Sequence, residues 1–368
     1  MKSRPRILLL SAYDAASHKR WREQLTHLLP EYQWHSLVLP PRFFQWRIRG
    51  NALSWLDEPC LHERWDLVIA TSMVDLATLR GLHPLLASTP CLLYMHENQF
   101  AFPISQKQQG RVEPQMVNLY SAVAADFVAF NSAWNRDSFV GGAQALLDKM
   151  PDAVPDRVIE RIQHKSDVIP VPIEDRLFTD VPRVINRACP HLLWNHRWEY
   201  DKGPDRLLNF LERLEQRRQP YKLSVVGEGF RNHPNAFGEI DARFTHRLEH
   251  WGFLASRSAY DDLLRKADVV LSTALHDFQG LSMLEAMASG CVPLAPDRLA
   301  YREYVPASCR YQSHEQDADA EADAALDRLQ AMLDMPVTSL PPEAWKASVL
   351  AKRYRTLINN LIDTRRCV

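Results

Sequence analysis

Glycine is scarce in this chain: it accounts for 12 of the 368 residues, and seven of the 12 lie beyond position 200. Because glycine is the default residue where a backbone turns sharply or lets a ligand come close, those seven positions are the most informative. The remaining composition, 46% hydrophobic and 24% charged, is that of an ordinary globular protein and argues against disorder.

The sequence also lacks the marks of a disulfide framework, a zinc site or a membrane span. Six cysteines show no CxxC pair and no paired histidine spacing, at positions 60, 91, 189, 291, 309 and 367. The first apolar run, Ile7 to Leu10, is too short for the core of a signal peptide, and no segment approaches the ~18 apolar residues of a membrane helix. We therefore expect reduced thiols, a cytoplasmic location and no stable membrane association.

The net charge of −1 gives no overall attraction to nucleic acid, so such a partner has to meet a local patch. Residues 1–50 supply one, with nine Lys or Arg against three acids. Within them Trp46, Arg47 and Arg49 combine a stacking face with phosphate-binding cations, as an unstacked RNA loop requires. The ordinary alternative is a solvated charged face beside core aromatics.

The length favours two domains, and strand-like apolar runs separated by helical spacing form two βαβ series. The first series has runs at 7–12, 35–39, 67–71, 91–95, 127–131 and 168–171. The second has runs at 191–194, 223–226, 250–254, 269–273 and 292–295. We predict an α/β protein of two doubly wound, Rossmann-like domains, with the carboxyl ends of both sheets around a shared cleft. Prolines from 170 to 190 place the join near residue 185, which gives residues 1–184, 185–340 and a C-terminal helical segment, 341–368.

The segment 271–296 has the pattern strand, loop, buried helix, strand. Gly280 is a start signal for the helix and Gly290 a stop signal. On a helical projection the apolar side chains cover most of the circumference, and Glu285 shares one narrow sector with two serines. Asp277 precedes the helix, whose free N–H groups form an anion site, so both carboxylates could face one polar ligand. The alternative is a surface glutamate and a helix-start acid.

Arg197 and Lys202 follow the first strand of the second series and precede a helix. Two cations at a strand end would neutralise a diphosphate, Arg through bidentate contacts and Lys as a point charge. The alternative is a pair of solvated loop charges. Gly227 belongs to a further glycine-containing strand end.

In the first series, His96, Glu97 and Asn98 end a buried strand, and Asn131 ends the next. Ligands of open parallel sheets bind at the carboxyl ends of the strands, so we expect these polar side chains to lie at a binding site. A histidine there can hydrogen-bond a sugar hydroxyl without a metal. A lone histidine is more often structural, and the alternative for Ser132 is a helix N-cap.

Residues 276–290 resemble the donor-site signature of the retaining glycosyltransferase family 4, in which two acids eight apart flank a helix start that binds a sugar nucleotide. Arg197 and Lys202 match that family's Arg and Lys five apart. The resemblance implies the GT-B fold, with the last helix crossing back to the first domain. Residues 10–19, 39–49, 96–99 and 118–132 resemble the tRNA-queuosine mannosyltransferase family. The chain departs at Asp277, where the family normally has Glu, and at Ala15 and Ala16, where it has a glycine pair.

This resemblance implies transfer of mannose from GDP-mannose to the queuosine base of a tRNA of the tRNA-Asp type, with retention and without a metal or other cofactor. The partners implied are tRNA and a sugar nucleotide. The implied catalytic residues are Arg197, Lys202, His96 and Asp277. The implied donor-binding residues are Arg197, Lys202, Gly227, Asp277, Phe278, Gly280, Leu281 and Glu285. The implied acceptor or RNA contacts are His18, Lys19, Trp46, Arg47, Arg49, Glu97, Asn98 and Asn131.

Two other functions compete with this one. A family 4 transferase could act on a lipid or polysaccharide, in which case the basic patch would face anionic headgroups and the protein would bind vesicles. A sugar-nucleotide or RNA-binding protein without catalysis would bind GDP and transfer nothing.

Overall fold

The computed structural model describes residues 4–102, 112–181, 183–229, 234–335 and 337–366. It divides into two compact units, residues 1–172 with 347–368, and residues 173–346.

Each unit is built on one six-stranded sheet whose neighbouring strands are all parallel. The first sheet consists of β1 (Arg6–Ser11), β2 (Gln33–Val38), β3 (Leu67–Thr71), β4 (Cys91–Met95), β5 (Phe127–Phe130) and β6 (Ser166–Val168). The second consists of β7 (His191–Trp194), β8 (Lys222–Val226), β9 (Leu248–Gly252), β10 (Val269–Leu271), β11 (Val292–Pro296) and β12 (Arg310–Tyr311). The predicted α/β class with two doubly wound sheets is confirmed.

Helices connect the strands in both units. Those of the first unit are α1 (Ala16–Leu28), α2 (Phe44–Ser54), α3 (Leu76–Leu82), α4 (Pro84–Ala87), α5 (Glu113–Ala124), α6 (Ala133–Leu147) and α7 (Val158–His164). Those of the second are α8 (Pro204–Gln216), α9 (Asn235–Phe244), α10 (Arg257–Lys266), α11 (Leu281–Ala288), α12 (Tyr301–Tyr304) and α13 (Ala318–Asp334), and α14 (Ala347–Arg366) follows.

The strand orders are β2-β1-β3-β4-β5-β6 and β12-β11-β10-β7-β8-β9. In each sheet the chain first builds outward on one side and then returns to build on the other. The direction reverses between β1 and β3 in the first sheet and between β7 and β10 in the second. Ligands of open parallel sheets bind outside the carboxyl ends of the strands at such switch points.

Helix α14 packs within the first unit through a buried hydroxyl. The indole Nε1 of Trp21 donates to the Tyr354 hydroxyl over 3.0 Å, and that hydroxyl lies 3.0 Å from the Pro170 carbonyl oxygen. Buried Trp and Tyr polar atoms need such partners, so this pairing fixes where the helix lies on the sheet.

Some strand limits differ from the sequence expectations for local reasons. Strand β6 ends at Val168 instead of continuing to 171, because Pro170 has no N–H for the ladder. Strand β9 lies two residues earlier than expected and ends at Gly252, whose φ is 100°. The two-residue strand β12 was not predicted, since so short a run carries no periodicity.

Candidate functional site

Two loops at the switch point of the second sheet carry five of the eight predicted donor-binding residues. They are the β7–α8 loop, residues 195–203, and the β10–α11 loop, residues 272–280, and they follow strands that pair directly. The amides of Leu275 and His276 donate to the Asp201 carbonyl oxygen over 2.8 and 3.2 Å. Arg298 Nε donates to the Ala274 carbonyl oxygen over 3.0 Å. The two loops are therefore joined backbone to backbone.

Gly280 starts α11 in a conformation that other residues adopt only with strain. Its φ is 76°, and a Cβ there would lie 2.2 Å from the Tyr304 hydroxyl oxygen. The Gly280 amide donates to Asp277 Oδ1 over 2.9 Å. The predicted carboxylate and the predicted helix start are thus parts of one turn.

Asp277 is enclosed by donors and cations. Tyr301 donates to its Oδ2 over 3.3 Å, and the Lys202 ammonium lies 4.0 Å from the same oxygen. Burial by itself would raise the pKa of Asp277, but Lys202, the neighbouring histidines and the Gly280 amide together lower it below its usual value. The carboxylate is therefore ionised and can accept hydrogen bonds.

The two predicted cations differ in freedom. Lys202 is buried, and its Nζ donates to the His276 carbonyl oxygen over 2.6 Å and lies 3.1 Å from Asp201 Oδ2. Arg197 is half exposed, and its Nη2 lies 3.0 Å from Glu199 Oε2. Lys202 is therefore a buried point charge held by two partners, whereas the Arg197 guanidinium is open to solvent.

Two buried histidines flank these cations. Burial is the main cause that lowers the pKa of His196 and of His276 to about 4 in each case; Lys202 acts in the same direction, and Asp277 opposes it. Both imidazoles are therefore neutral at physiological pH and can donate or accept hydrogen bonds without adding charge. The sequence placed both residues beside the predicted motifs but gave no reason to select them.

Glu285 is buried and paired with polar side chains of α10. It is 3% exposed, and its carboxylate accepts hydrogen bonds from Arg257 Nη2 over 2.7 Å and from the Tyr260 hydroxyl over 3.3 Å. Asn195 Nδ2 donates to the same hydroxyl over 3.0 Å. Arg257, Tyr260 and Asn195 were not selected from the sequence, because partners so far apart in the chain are set by packing.

Three further predicted residues shape the loops. A Cβ on Gly227 would lie 1.8 Å from the His196 carbonyl oxygen, so this glycine lets the ends of β7 and β8 come together. Phe278 is buried edge-on against His276 with ring centroids 4.5 Å apart, and Leu281 forms the first residue of α11.

The first unit has its own cluster at the carboxyl ends of its central strands. His96 is buried and stacks on His18 with ring centroids 4.2 Å apart. Burial, and secondly the neighbouring His18, hold the pKa of His96 well below its usual 6.5. The Glu97 carboxylate accepts from His18 Nε2 over 2.8 Å and from the Ser72 hydroxyl over 2.6 Å. The structure thus brings the predicted His18, His96 and Glu97 together.

The predicted amides of Asn98 and Asn131 stabilise the backbone around this cluster through hydrogen bonds. Asn98 is fully buried and donates to Asn135 Oδ1 over 2.8 Å, while its own oxygen accepts from Ala101 N over 2.9 Å. Asn131 Nδ2 donates to the His96 carbonyl oxygen over 2.7 Å. Ser132 accepts from the Asn135 amide, as an N-cap does. These amides support the turn around His96, and a direct RNA contact for them remains a prediction.

The remaining predicted RNA residues lie on the first two helices. Trp46 is 52% exposed on α2, and the Arg47 side chain is buried. Arg49 Nη1 lies 2.5 Å from Asp75 Oδ2, and Lys19 is exposed on α1 with Glu23 at 3.9 Å. Trp46 therefore offers an exposed aromatic ring on α2.

Among the described residues, no group of three or more His, Cys, Asp or Glu side chains could hold a metal ion. None of the helices in the described ranges is long and apolar enough to cross a bilayer.

Comparison with known proteins covers both units. A family model described as tRNA-queuosine alpha-mannosyltransferase N-terminal matches residues 6–173, and one described as glycosyl transferases group 1 matches residues 185–330. The tRNA-queuosine alpha-mannosyltransferase of Drosophila melanogaster is 32% identical over 319 residues, which cover 84% of this chain and 84% of that protein.

Solved structures show the fold at low sequence identity. Anabaena HepE in complex with UDP aligns with a TM-score of 0.62 at 13% identity, over 96% of this chain and 100% of that one. Sucrose-phosphate synthase from Thermosynechococcus elongatus aligns with a TM-score of 0.64 at 16% identity, over 98% and 95%. The fold is the GT-B glycosyltransferase fold. This chain is a glycosyltransferase and belongs to the tRNA-queuosine alpha-mannosyltransferase family.

Proposed function

We propose that this enzyme transfers a mannosyl group from GDP-mannose to the queuosine base of tRNA, with retention of the α configuration. The observation that carries the proposal is the match of residues 6–173 to the family's own N-terminal model, because the predicted acceptor residues lie in that unit. A cytoplasmic location follows from the same proposal, since tRNA is the acceptor.

The donor residues of the second unit have distinct roles in this proposal. Arg197 leaves Glu199 to bind the donor diphosphate, and Lys202 contributes a fixed positive charge beside it. Glu285 accepts the ribose hydroxyls, and ionised Asp277 accepts a hexose hydroxyl. The arrangement uses protein cations where many transferases use a metal, so activity should persist in EDTA.

The chemistry develops negative charge on the leaving phosphate. As the bond between the anomeric carbon and the phosphate oxygen breaks, a queuosine hydroxyl attacks the same face of the sugar. Its proton passes to the departing phosphate, and the products are mannosyl-queuosine and GDP. Negative charge on that phosphate is greater in the transition state than in bound GDP-mannose, so a guanidinium beside it lowers the barrier. Neutral His96 is assigned to hydrogen bonding on the acceptor side.

The test incubates the purified full chain with GDP-mannose and either queuosine-containing tRNA or the same tRNA lacking queuosine. We expect nucleosides heavier by one hexose only in the first reaction, and no product from UDP-glucose. Parallel reactions offer a polyprenyl phosphate in vesicles as acceptor. Transfer to the lipid with none to tRNA would replace this proposal by the lipid-acceptor function. Binding of GDP with no transfer to either acceptor would indicate a non-catalytic protein.

A further inference from the structure

Trp46 has an unusual position on α2, because its indole ring lies across a glycine one helical turn later. Three ring atoms, Cδ2, Cε2 and Cε3, would stand only 2.6–2.7 Å from a Cβ at Gly50. Any side chain at that position would push the indole away. Gly50 is itself buried, and Trp46 keeps 52% of its surface exposed. One face of the ring therefore covers the helix and the other is open to solvent.

A mid-helix glycine costs about 1 kcal/mol relative to alanine, so its presence here requires a reason. Packing in the core is a weak reason, since the ring it admits is half exposed. The glycine instead allows the Trp46 indole to lie flat against α2 with its other face exposed.

The surroundings suit a nucleic-acid base. Phe43, 71% exposed, is the residue just before α2 and has a φ of 55°, and the Arg42 guanidinium lies over its ring at 5.8 Å. The first turn of α2 contains no acidic residue. Of the basic residues close to Trp46 in the chain, Arg42 is exposed, whereas Arg47 is buried and Arg49 pairs with Asp75. Exposed aromatic faces beside cations are how proteins hold unpaired bases and the phosphates that join them.

We propose that Trp46, laid across Gly50 and flanked by Phe43 and Arg42, is a stacking platform for an unpaired base of the acceptor RNA. This inference rests on the proposed function and specifies which surface of the first unit contacts the tRNA. Stacking does not depend on base identity, so the platform contributes to affinity for the loop and not to recognition of queuosine itself.

The decisive variant is Gly50→Ala, which leaves the indole in the protein but displaces it. Its matched control is Gly141→Ala, a glycine within α6 of the same unit whose added Cβ would meet nothing within 4 Å. Both substitutions add helix propensity, so neither should unfold the chain. We expect Gly50→Ala and Trp46→Ala each to weaken binding of queuosine-containing tRNA roughly tenfold, the usual worth of one stacked base, with Gly141→Ala unchanged.

A double-substitution cycle separates the platform from a general helix effect. In the Trp46→Ala background, Gly50→Ala should cause no further loss of RNA affinity, because the two substitutions remove the same ring face. GDP affinity should stay unchanged in all variants. Wild-type RNA affinity in Gly50→Ala or Trp46→Ala, in an enzyme that still mannosylates tRNA, would overturn the platform and leave the proposed function standing.

Two other results would also overturn the inference. Equal losses in Gly50→Ala and Gly141→Ala would show a nonspecific effect. Loss of binding to vesicles containing anionic lipid, with tRNA affinity intact, would assign the same face to a membrane. If the wild-type chain neither binds nor modifies the tRNA, that result would contradict the proposed function itself.

Discussion

Arg257 and Glu285 are 28 residues apart, yet the Nη2 of the arginine donates to Oε1 of the glutamate over 2.7 Å. The same guanidinium lies 3.3 Å from Asp261 and 3.6 Å from Glu174, and Tyr260 is the other group on α10 that faces Glu285. A carboxylate that is 3% exposed needs such a counter-ion to stay charged. Arg257 is thus the counter-ion of Glu285, the residue for which we propose a role in accepting the ribose hydroxyls.

Replacing Arg257 by alanine should weaken GDP binding roughly tenfold, because it leaves the buried Glu285 carboxylate without the guanidinium that donates to it. Calorimetric titration with GDP measures this effect. The control is Arg265→Ala on the same helix, an exposed partner of Asp262, which should bind GDP as the wild type does. Wild-type GDP affinity in Arg257→Ala would contradict a role for this ion pair at the donor site.

Arg197→Ala should lower turnover more than donor affinity, because the guanidinium acts most strongly on charge that develops at the leaving phosphate. Loss of one such stabilising group costs roughly 100- to 1,000-fold in kcat. Steady-state kinetics with GDP-mannose and queuosine-containing tRNA separate kcat from KM. Arg217→Ala, which removes a similarly exposed ion pair with Asp327, is the matched control and should behave as wild type. Near-normal turnover in Arg197→Ala would remove this residue from the mechanism.

His196 should make the fold sensitive to mild acid. Its pKa is lowered by burial to about 4, whereas in the unfolded chain it titrates near 6.5. The unfolded state therefore binds the extra proton first, and the free energy of unfolding falls as the pH drops from about 6.5 towards 4. Urea unfolding of His196→Gln should show a shallower fall in that window than the wild type or the exposed control His246→Gln. Identical slopes for all three would contradict the buried, neutral state of His196.

The alternation of apolar runs and helical spacing was enough to predict both parallel sheets. Strands of such sheets are buried on both faces, so each one is a short, continuous apolar run that can be recognised in the sequence. Glu285 was selected for a related reason, as a charge on a helix that is otherwise apolar. Its partner Arg257 could not be predicted, since nothing local links α10 to α11.

Strand ends gave less certain information. His96 and Asn98 follow the same strand, but the histidine lies in the stacked cluster while the amide holds the backbone behind it. Sequence alone cannot separate a ligand group from a turn-holding amide, because both favour polar residues at the same positions. Gly227 was predicted beside the nucleotide, and the structure adds a packing reason for it, the carbonyl oxygen of His196. A contact of Gly227 with the donor remains a prediction.

Glu321 on α13 was not selected from the sequence, yet it holds the loop that carries Asp277. Its buried carboxylate accepts from Arg298 Nη1 and Nη2 over 2.5 and 3.0 Å and from Arg206 Nε over 2.5 Å. Arg298 in turn donates to the Ala274 carbonyl oxygen in the β10–α11 loop. Two guanidiniums share one carboxylate, so its loss would leave two buried like charges facing each other.

Glu321→Gln should therefore destabilise the second unit, by up to the about 3–5 kcal/mol that breaking a buried ion pair costs, and weaken GDP binding through the loop. Burial by itself would raise the pKa of Glu321, but Arg298, the His314 amide and Arg206 together lower it below the usual 4.5. Its stabilising effect is thus complete above pH 4.5 and is lost as the pH falls through the lowered value. Urea unfolding across that range should be flatter for Glu321→Gln than for the wild type.

The control for Glu321→Gln is Asp319→Asn on the same helix, where the exposed carboxylate pairs with Arg213 at 2.6 Å. Exposed pairs contribute only about 0–1 kcal/mol, so this variant should unfold and bind GDP almost as the wild type does. Leu329→Ala, which removes a fully buried apolar side chain from α13, supplies equal destabilisation without touching Arg298. GDP affinity that falls in Glu321→Gln but not in Leu329→Ala would assign the loss to the loop, because general destabilisation is then common to both. Equal GDP affinity in the two variants would show that Glu321 contributes to the stability of the second unit and not to GDP binding through the loop.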